Sequence, residues 1–184
     1  MNMPMSSNRY RYGAVAQAIH WLTVVLVIAA YMLSLGGSEE QVYSAGRDFT
    51  RRTHETLGLA VGVLTLLRLA WKTLDATPDD PPMPAVMRLA ARVVHVTLYL
   101  LLLAVPLTAI VGAWFEGHPV TLLMIGDIAS PLPLAHGVGQ TIATIHTYLG
   151  DAIVWLVGLH AAAGLFHHFY LRDRVLRSML PGPD

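Results

Sequence analysis

Apolar residues fill four long stretches of this 184-residue chain, and short polar segments separate the stretches. An α-helix needs about 20 residues to cross the ~30 Å hydrocarbon core of a bilayer, and each stretch reaches that length. The pattern therefore predicts four membrane-spanning helices, at residues 14–35, 50–72, 86–114 and 141–171. We expect an all-α protein, an integral membrane four-helix bundle that forms a single domain over residues 1–184.

The overall composition agrees with a membrane protein. Hydrophobic residues make up 54% of the chain and charged residues only 13%, with a mean hydropathy of +0.52, whereas roughly a quarter of the residues in soluble domains are charged. The absence of cysteine excludes disulfides, iron–sulfur clusters and a covalently attached c-type haem. The glycine-rich motifs of nucleotide sites are also absent. We expect the lipid bilayer, and no nucleic acid, as a partner.

Basic residues are distributed unevenly between the two sides of the predicted bundle. Nine fall on the side that carries both termini, and three fall on the opposite side. Because cytoplasmic segments carry the excess of lysine and arginine, both termini are predicted to be cytoplasmic. The nine are Arg9, Arg11, Arg68, Lys72, Arg88, Arg92, Arg172, Arg174 and Arg177, and the three are Arg47, Arg51 and Arg52.

The fourth apolar stretch carries a row of histidines. His146, His160 and His167 are spaced 14 and 7 residues apart, so at about 100° per residue all three project from one stripe of a helix. His146 and His160 would be separated by roughly 21 Å along the helix axis. Ionisable side chains are expensive in hydrocarbon, and their presence there typically marks a functional site. Two histidines on one stripe at different depths indicate two stacked cofactors.

The predicted depths of the histidines give two pairs. His20 and His160 lie towards the cytoplasmic side, and His54 and His146 lie towards the periplasmic side. A six-coordinate haem b needs two neutral imidazoles from facing helices, and such sites form in bundle interiors. The pattern therefore predicts two haem b groups, one at each pair. His95 is predicted at a depth close to that of His20, and it is an alternative ligand or a hydrogen-bond partner of a haem propionate.

A glycine follows three of the proposed ligands by four residues. These glycines are Gly58, Gly150 and Gly164, and residues four apart lie on the same face of a helix. A porphyrin beside a helix needs a nearby position without a side chain, so we expect these glycines to contact haem. The alternative is that they are small residues at which membrane helices pack closely.

Further side chains are candidates for the haem periphery or for substrates. Haem propionates are anionic, and Arg68 lies 14 residues after His54 on nearly the same stripe, so it is the first choice for a propionate on the cytoplasmic side. Arg51 and Arg52 flank the periplasmic pair and are expected to bind propionates or to attract an anionic donor. His167 is predicted to contact the edge of the cytoplasmic-side haem or a quinone head group, unless it is an interfacial anchor.

The longest connection runs from residue 116 to residue 140. It is predicted to be a loop, and the pattern leaves open whether residues 120–125 form a short helix or a re-entrant piece. His118 and His136 fall in this loop, and we expect both to be solvated.

Short motifs surround the histidines: A-I-H-W at His20, T-H-E-T-L-G at His54, T-I-H-T-Y-L-G at His146 and G-L-H-A-A-A-G-L-F-H-H over residues 158–168. With these motifs the chain resembles the bacterial cytochrome b-561 family of small four-helix di-haem membrane proteins, over essentially its whole length. The resemblance implies haem b ligation by His20, His54, His146 and His160. It also implies a multi-pass protein of the bacterial inner membrane that exchanges electrons with the quinone pool, with ubiquinone as its substrate.

The resemblance leaves the reaction open among three functions. The family includes superoxide:quinone oxidoreductases, so the first expectation is an oxidoreductase that passes electrons between a periplasmic-side donor, with superoxide a candidate, and quinone. Related cytochrome b subunits of nickel–iron hydrogenases share the motifs, so the second is a relay subunit of a larger dehydrogenase or hydrogenase complex. The third is a non-redox membrane anchor or metal-binding protein, which would show no haem spectrum.

Overall fold

The computed structural model describes residues 5–34 and 36–181, and helices dominate the described residues. The helical and extended elements are numbered here in chain order. They are α1 (Ala14–Met32), α2 (Glu39–Val42), a 3-10 turn (Ala45–Arg47), α3 (Asp48–Leu74), α4 (Ala85–Phe115), β1 (Val120–Leu122), β2 (Gly126–Ile128), α5 (His136–Phe166), a π-helical segment (His167–Leu171) and a second 3-10 turn (Arg177–Met179).

Within the described residues, four helices are long and apolar enough to cross a membrane, which confirms the predicted spans in number and order. Helix α3 begins two residues before its predicted start and ends two residues after its predicted end. Helix α5 begins at His136, five residues before the predicted start. The apolar pattern marks the part of a helix that lies in lipid, so it misses a polar first turn. The predicted end of the first helix, at residue 35, lies outside the described residues.

The connection between α4 and α5 contains a β-hairpin. Strands β1 and β2 pair antiparallel, with Val120 opposite Ile128, so this segment forms a hairpin and not a short helix. Glu55 and Thr56 of helix α3 satisfy two backbone N–H groups of the hairpin. The Glu55 carboxylate accepts from the N–H of Thr121 at 2.6 Å, and the Thr56 hydroxyl accepts from the N–H of Leu123 at 2.9 Å. Buried backbone groups need such partners.

The chain divides into two compact units, and each of the long helices contributes residues to both. The first unit comprises residues 1–23, 64–100 and 153–184, and the second comprises residues 24–63 and 101–152. Many large apolar side chains of both units are exposed. Such a surface suits a chain surrounded by lipid, because acyl chains are as apolar as leucine.

The first unit ties the start of α1 to the C-terminal segment. The Trp21 indole N–H donates to the carbonyl oxygen of Met179 at 2.8 Å, and the Gln17 amide donates to that of Tyr12 at 2.8 Å. The N–H and hydroxyl of Ser7 donate to the Asp75 carboxylate at the end of α3. These contacts fix the polar ends of the helices in this unit.

Candidate functional site

The second unit brings His54 of α3 and His146 of α5 together. Their ring centroids lie 6.3 Å apart, and the ring planes are perpendicular. Nδ1 of His54 lies 2.8 Å from the carbonyl oxygen of Ala30, and Nδ1 of His146 lies 2.9 Å from that of Val105. A carbonyl oxygen only accepts hydrogen bonds, so each Nδ1 carries the proton and donates. Each Nε2 is then left with a lone pair, which is the state that a metal ligand requires.

Open space lies one helical turn beyond each of these two histidines. A Cβ added at Gly58 or at Gly150 would meet no atom of the described chain within 4 Å. Gly62 and Gly112 contrast with them, because an added Cβ would lie 3.2 Å from Cγ of Pro106 at the first and 3.4 Å from the Ile142 side chain at the second. Gly62 and Gly112 are therefore the close-packing glycines, whereas Gly58 and Gly150 leave room for a flat group. The residues of this site fit a haem.

The first unit brings three imidazoles together among its described residues. The ring centroid of His160 lies 6.4 Å from that of His20 and 5.4 Å from that of His95, at interplanar angles of 85° and 69°. His20, the predicted partner of His160, and His95, the predicted alternative, therefore both lie beside His160. Gly164, one turn after His160, is less open than Gly58, since an added Cβ would touch Cδ1 of Leu176 at 4.0 Å.

Arg68 lies against His20 in this unit. Its Nη1 is 2.8 Å from Nδ1 of His20, and because a guanidinium only donates, Nδ1 accepts and the proton of the neutral ring is on Nε2. The guanidinium also lies over the Tyr99 ring, 5.8 Å from its centroid. The tautomer of His20 is thus opposite to that of His54 and His146.

Arg51 and Arg52 form ion pairs with carboxylates of their own helix. The Arg51 guanidinium lies 2.7 Å from both Asp48 and Glu55, and Nε of Arg52 lies 2.6 Å from Asp48. These contacts follow the i,i+3 and i,i+4 spacing of helix neighbours. The local charges of the four side chains cancel, and Arg51 is buried.

His167 begins the π-helical segment and contacts Asp173. Its Nδ1 lies 2.5 Å from Oδ2 of Asp173. The helix ends at Arg172, whose left-handed backbone (φ 54°) turns the chain back on itself. Helical spacing does not predict this contact, because a separation of six residues does not place two side chains on one face of an α-helix.

Two expectations about the long connection are corrected. His136 is the first residue of α5 rather than part of a loop. His118 is not simply solvated, because its Nε2 lies 2.6 Å from a carboxylate oxygen of Glu39 and its side chain is only 28% exposed. The Glu39 carboxylate also lies 3.1 Å from Nε2 of His136.

Histidines held in pairs on apolar, membrane-length helices define the class of membrane cytochromes. A sequence model of the prokaryotic cytochrome b561 family matches residues 11–182, and the chain belongs to that family. Membership makes haem b its cofactor, and it identifies the protein as a multi-pass electron-transport protein of the bacterial inner membrane.

Individual relatives match over nearly the full chain. The chain is 27% identical to cytochrome b561 homolog 2 of Escherichia coli over 97% of this chain and 95% of that protein. It is 30% identical to a protein of Yersinia pestis named as a probable superoxide oxidase, over 93% of this chain and 96% of that protein. It is also 30% identical to cytochrome b562 of Cereibacter sphaeroides, over 92% of this chain and 94% of that protein.

Proposed function

We propose that this protein holds two haem b groups and passes electrons between a periplasmic-side donor and the quinone pool. The observation that carries the proposal is the His54–His146 pair, in which both Nδ1 atoms donate to backbone carbonyls and both rings lie beside open glycines. A pair with that arrangement has its ligand atoms ready and space for a flat group next to them.

His54 and His146 are the proposed axial ligands of one haem. When bound, haem b supplies an iron that gains and loses one electron reversibly. The carbonyl oxygens of Ala30 and Val105 hold the two rings in the Nδ1–H tautomer and fix their orientation, which raises the basicity of each Nε2. Gly58 and Gly150 keep the adjacent helix faces clear.

His20 and His160 are the proposed ligands of the second haem. Gly164 is the glycine proposed to contact that haem. Ligation through Nε2 of His20 requires its proton to move to Nδ1, and Arg68 must then release that nitrogen. A released Arg68 guanidinium is free to bind a propionate, which is the role predicted for it. His95 remains the alternative ligand, because its ring is closer to His160 than that of His20 is.

Superoxide is the proposed donor, with ubiquinone as the proposed acceptor. The name of the Yersinia pestis relative supports the donor, and a proposed quinone contact at His167 awaits a test. Arg51 and Arg52 are proposed to bind propionates or to steer an anion. Replacing both with serine is expected to slow superoxide oxidation, with a difference that shrinks as salt is added. An unchanged rate would end the steering proposal and leave the arginines as partners of Asp48 and Glu55.

The first experiment measures haem per chain and the reduced-minus-oxidised spectrum of the purified protein. We expect two low-spin b haems in the wild type, and the loss of one in each of His54→Ala and His160→Ala, because an iron without its axial ligand is lost or becomes high-spin. His168→Gln is the matched control, since His168 belongs to neither pair. One haem per chain in the wild type, or two low-spin haems retained in both variants, would contradict the proposal.

A further inference from the structure

A group of two histidines and two glutamates lies in the second unit, apart from the His54–His146 pair. Its members come from three separate parts of the chain, and we call it the Glu39 cluster. Glu39 begins helix α2, Glu116 and His118 follow the end of α4, and His136 begins α5. The proposed electron transfer uses none of these residues.

The local sequence explains why these segments converge. Helices α4 and α5 approach closely where Gly139 packs against the end of α4, because a Cβ at Gly139 would lie 2.5 Å from Cγ of Glu116 and 3.0 Å from the carbonyl oxygen of Gly112. Gly117 then adopts a left-handed conformation (φ 84°), which ends the helix and turns the chain so that the N–H of His118 bonds to the carbonyl of Ala113 at 2.9 Å. Glycine is the residue that adopts this conformation without strain.

The ligand atoms of the cluster converge around Glu39. One carboxylate oxygen lies 2.6 Å from Nε2 of His118, and the other lies 3.1 Å from Nε2 of His136. Glu39, Glu116 and His118 each present a ligand atom, and these atoms lie within 4.8 Å of one another. Tetrahedral zinc bonds of about 2.0–2.1 Å correspond to separations of about 3.3 Å between ligand atoms. The two contacts of Glu39 with the histidines, at 2.6 and 3.1 Å, are slightly shorter than that separation, so a bound ion would move these ligand atoms slightly apart.

The charges of the cluster favour a cation. A carboxylate oxygen of Glu116 lies within 4.8 Å of a carboxylate oxygen of Glu39, so two negative groups are close together. Arg51, whose guanidinium lies over the Tyr43 ring at 5.0 Å from its centroid, is already paired with carboxylates of its own helix. His118 is held by the neutral ring of Tyr43, which stacks on it with centroids 3.5 Å apart. A divalent cation would offset the repulsion between the two carboxylates.

We propose that Glu39, Glu116, His118 and His136 form a binding site for one divalent transition metal ion of the zinc class. Two imidazoles with carboxylate oxygens are the ligand set of zinc sites, whereas calcium and magnesium prefer oxygen ligands alone. The bound ion joins helix α2, the end of α4 and the start of α5. This site is separate from the histidine pairs, so its zinc stoichiometry does not depend on how many haems the protein holds.

Titration calorimetry with zinc chloride tests the site on the tag-free, haem-loaded, chelator-treated full chain in detergent. We expect one zinc ion per chain. The double substitution His118→Gln, His136→Gln is expected to weaken zinc binding by more than about tenfold. Replacing a residue that merely hydrogen-bonds to a metal ligand already weakens metal binding by about tenfold. Glu39→Gln is expected to weaken it as well, whereas its neighbour Glu40→Gln, an exposed carboxylate outside the cluster, leaves it unchanged.

Two results would overturn the proposal. One is a wild type that binds no zinc, and the other is a double variant that binds zinc as tightly as the wild type, which would place the ion on other histidines. An unchanged haem spectrum verifies that each variant is folded. X-ray absorption of the zinc-loaded wild type gives an answer that does not depend on any variant, and it is expected to show two imidazole nitrogens at about 2.0–2.1 Å. An all-oxygen environment would contradict the assignment.

Discussion

The two histidine sites differ in what their Nδ1 atoms contact. In the second unit, both Nδ1 atoms donate to backbone carbonyl oxygens, those of Ala30 and Val105. In the first unit, Nδ1 of His20 accepts from the guanidinium of Arg68. A carbonyl oxygen only accepts and a guanidinium only donates, so the two environments impose opposite imidazole tautomers. Both sites bring histidines of different helices together, but the ring nitrogen that carries the proton differs between them.

This difference indicates how much each site must change to hold a metal-centred cofactor. The His54–His146 pair needs no proton shift, because its Nε2 atoms already have free lone pairs. The His20 site needs a proton shift and a movement of Arg68, and it offers His95 as a third ring close to His160. Backbone carbonyl groups therefore hold the rings of the one site, whereas the side chain of Arg68 contacts a ring of the other.

The largest expected effect comes from removing one imidazole at a time from the site that holds His20, His95 and His160. His20→Ala is expected to lose about half of the bound haem, whereas His95→Ala is expected to keep it, because a low-spin b haem requires both axial imidazoles. Haem per chain and the low-spin spectrum provide the measurement. The reverse result would assign the ligand role to His95. Haem retained in both variants would contradict the assignment of the ligand role to either ring alone.

A somewhat smaller effect is expected from filling the open space beside the His54–His146 pair. Gly58→Leu introduces a side chain where the described chain leaves room, so haem content is expected to fall towards about one per chain. Leucine is a better helix former than glycine, so the helix itself is not weakened. Gly46→Leu is the matched control, because Gly46 is equally unhindered but lies in a short turn away from the histidines. Equal haem in both variants would show that Gly58 faces lipid rather than a cofactor.

The helices and the histidine pairing were within reach of sequence reasoning. Apolar length and helical spacing predicted that His54 meets His146 and that His20 meets His160, and the structure places both pairs in contact range. Whether they bind haem stays a prediction. The ion pairs of Arg51 could also have been predicted, since Asp48 and Glu55 lie at i,i+3 and i,i+4 positions.

Other features left no readable signal in the sequence. The carbonyl partners of His54 and His146 are backbone atoms, which every residue carries. Glu39 and His118 are 79 residues apart and belong to segments without apolar periodicity. The contact between His167 and Asp173 depends on a π-helical turn and a left-handed residue, which α-helical spacing does not anticipate. Contacts between polar segments that are far apart in the sequence become visible only in the folded structure.

Replacing Arg68 tests whether its charge affects the midpoint potential of a haem, and the expected effect is moderate. Reduction adds negative charge to a site, and a nearby cation favours it. Arg68→Gln is therefore expected to lower the midpoint potential of one haem, by on the order of 1 kcal/mol or about 40 mV. Redox titration followed by optical spectra measures both haems. Arg88→Gln, an exposed arginine on α4 that donates to the carbonyl of Met83, is the control. A potential that does not move, or a shift as large in the control, would rule out a specific role for Arg68.

The smallest expected effect tests whether the backbone alone orients His146. The Thr108 hydroxyl donates to the carbonyl oxygens of Ala104 and Val105, and its oxygen lies 3.4 Å from Nδ1 of His146. Nδ1 is closer, at 2.9 Å, to the carbonyl of Val105, so that carbonyl is the principal acceptor.

Thr108→Val removes the hydroxyl and leaves the carbonyl in place, with Thr108→Ser as the control that restores the oxygen. Haem content is expected to stay constant, and the midpoint potential of the haem at this pair is expected to shift by no more than about 20 mV, which corresponds to a weak hydrogen bond of about 0.5 kcal/mol. A loss of haem in the valine variant that serine restores would mean that Thr108, and not the Val105 carbonyl, orients the ring. The pair would then depend on a side chain in the same way as the His20 site depends on Arg68.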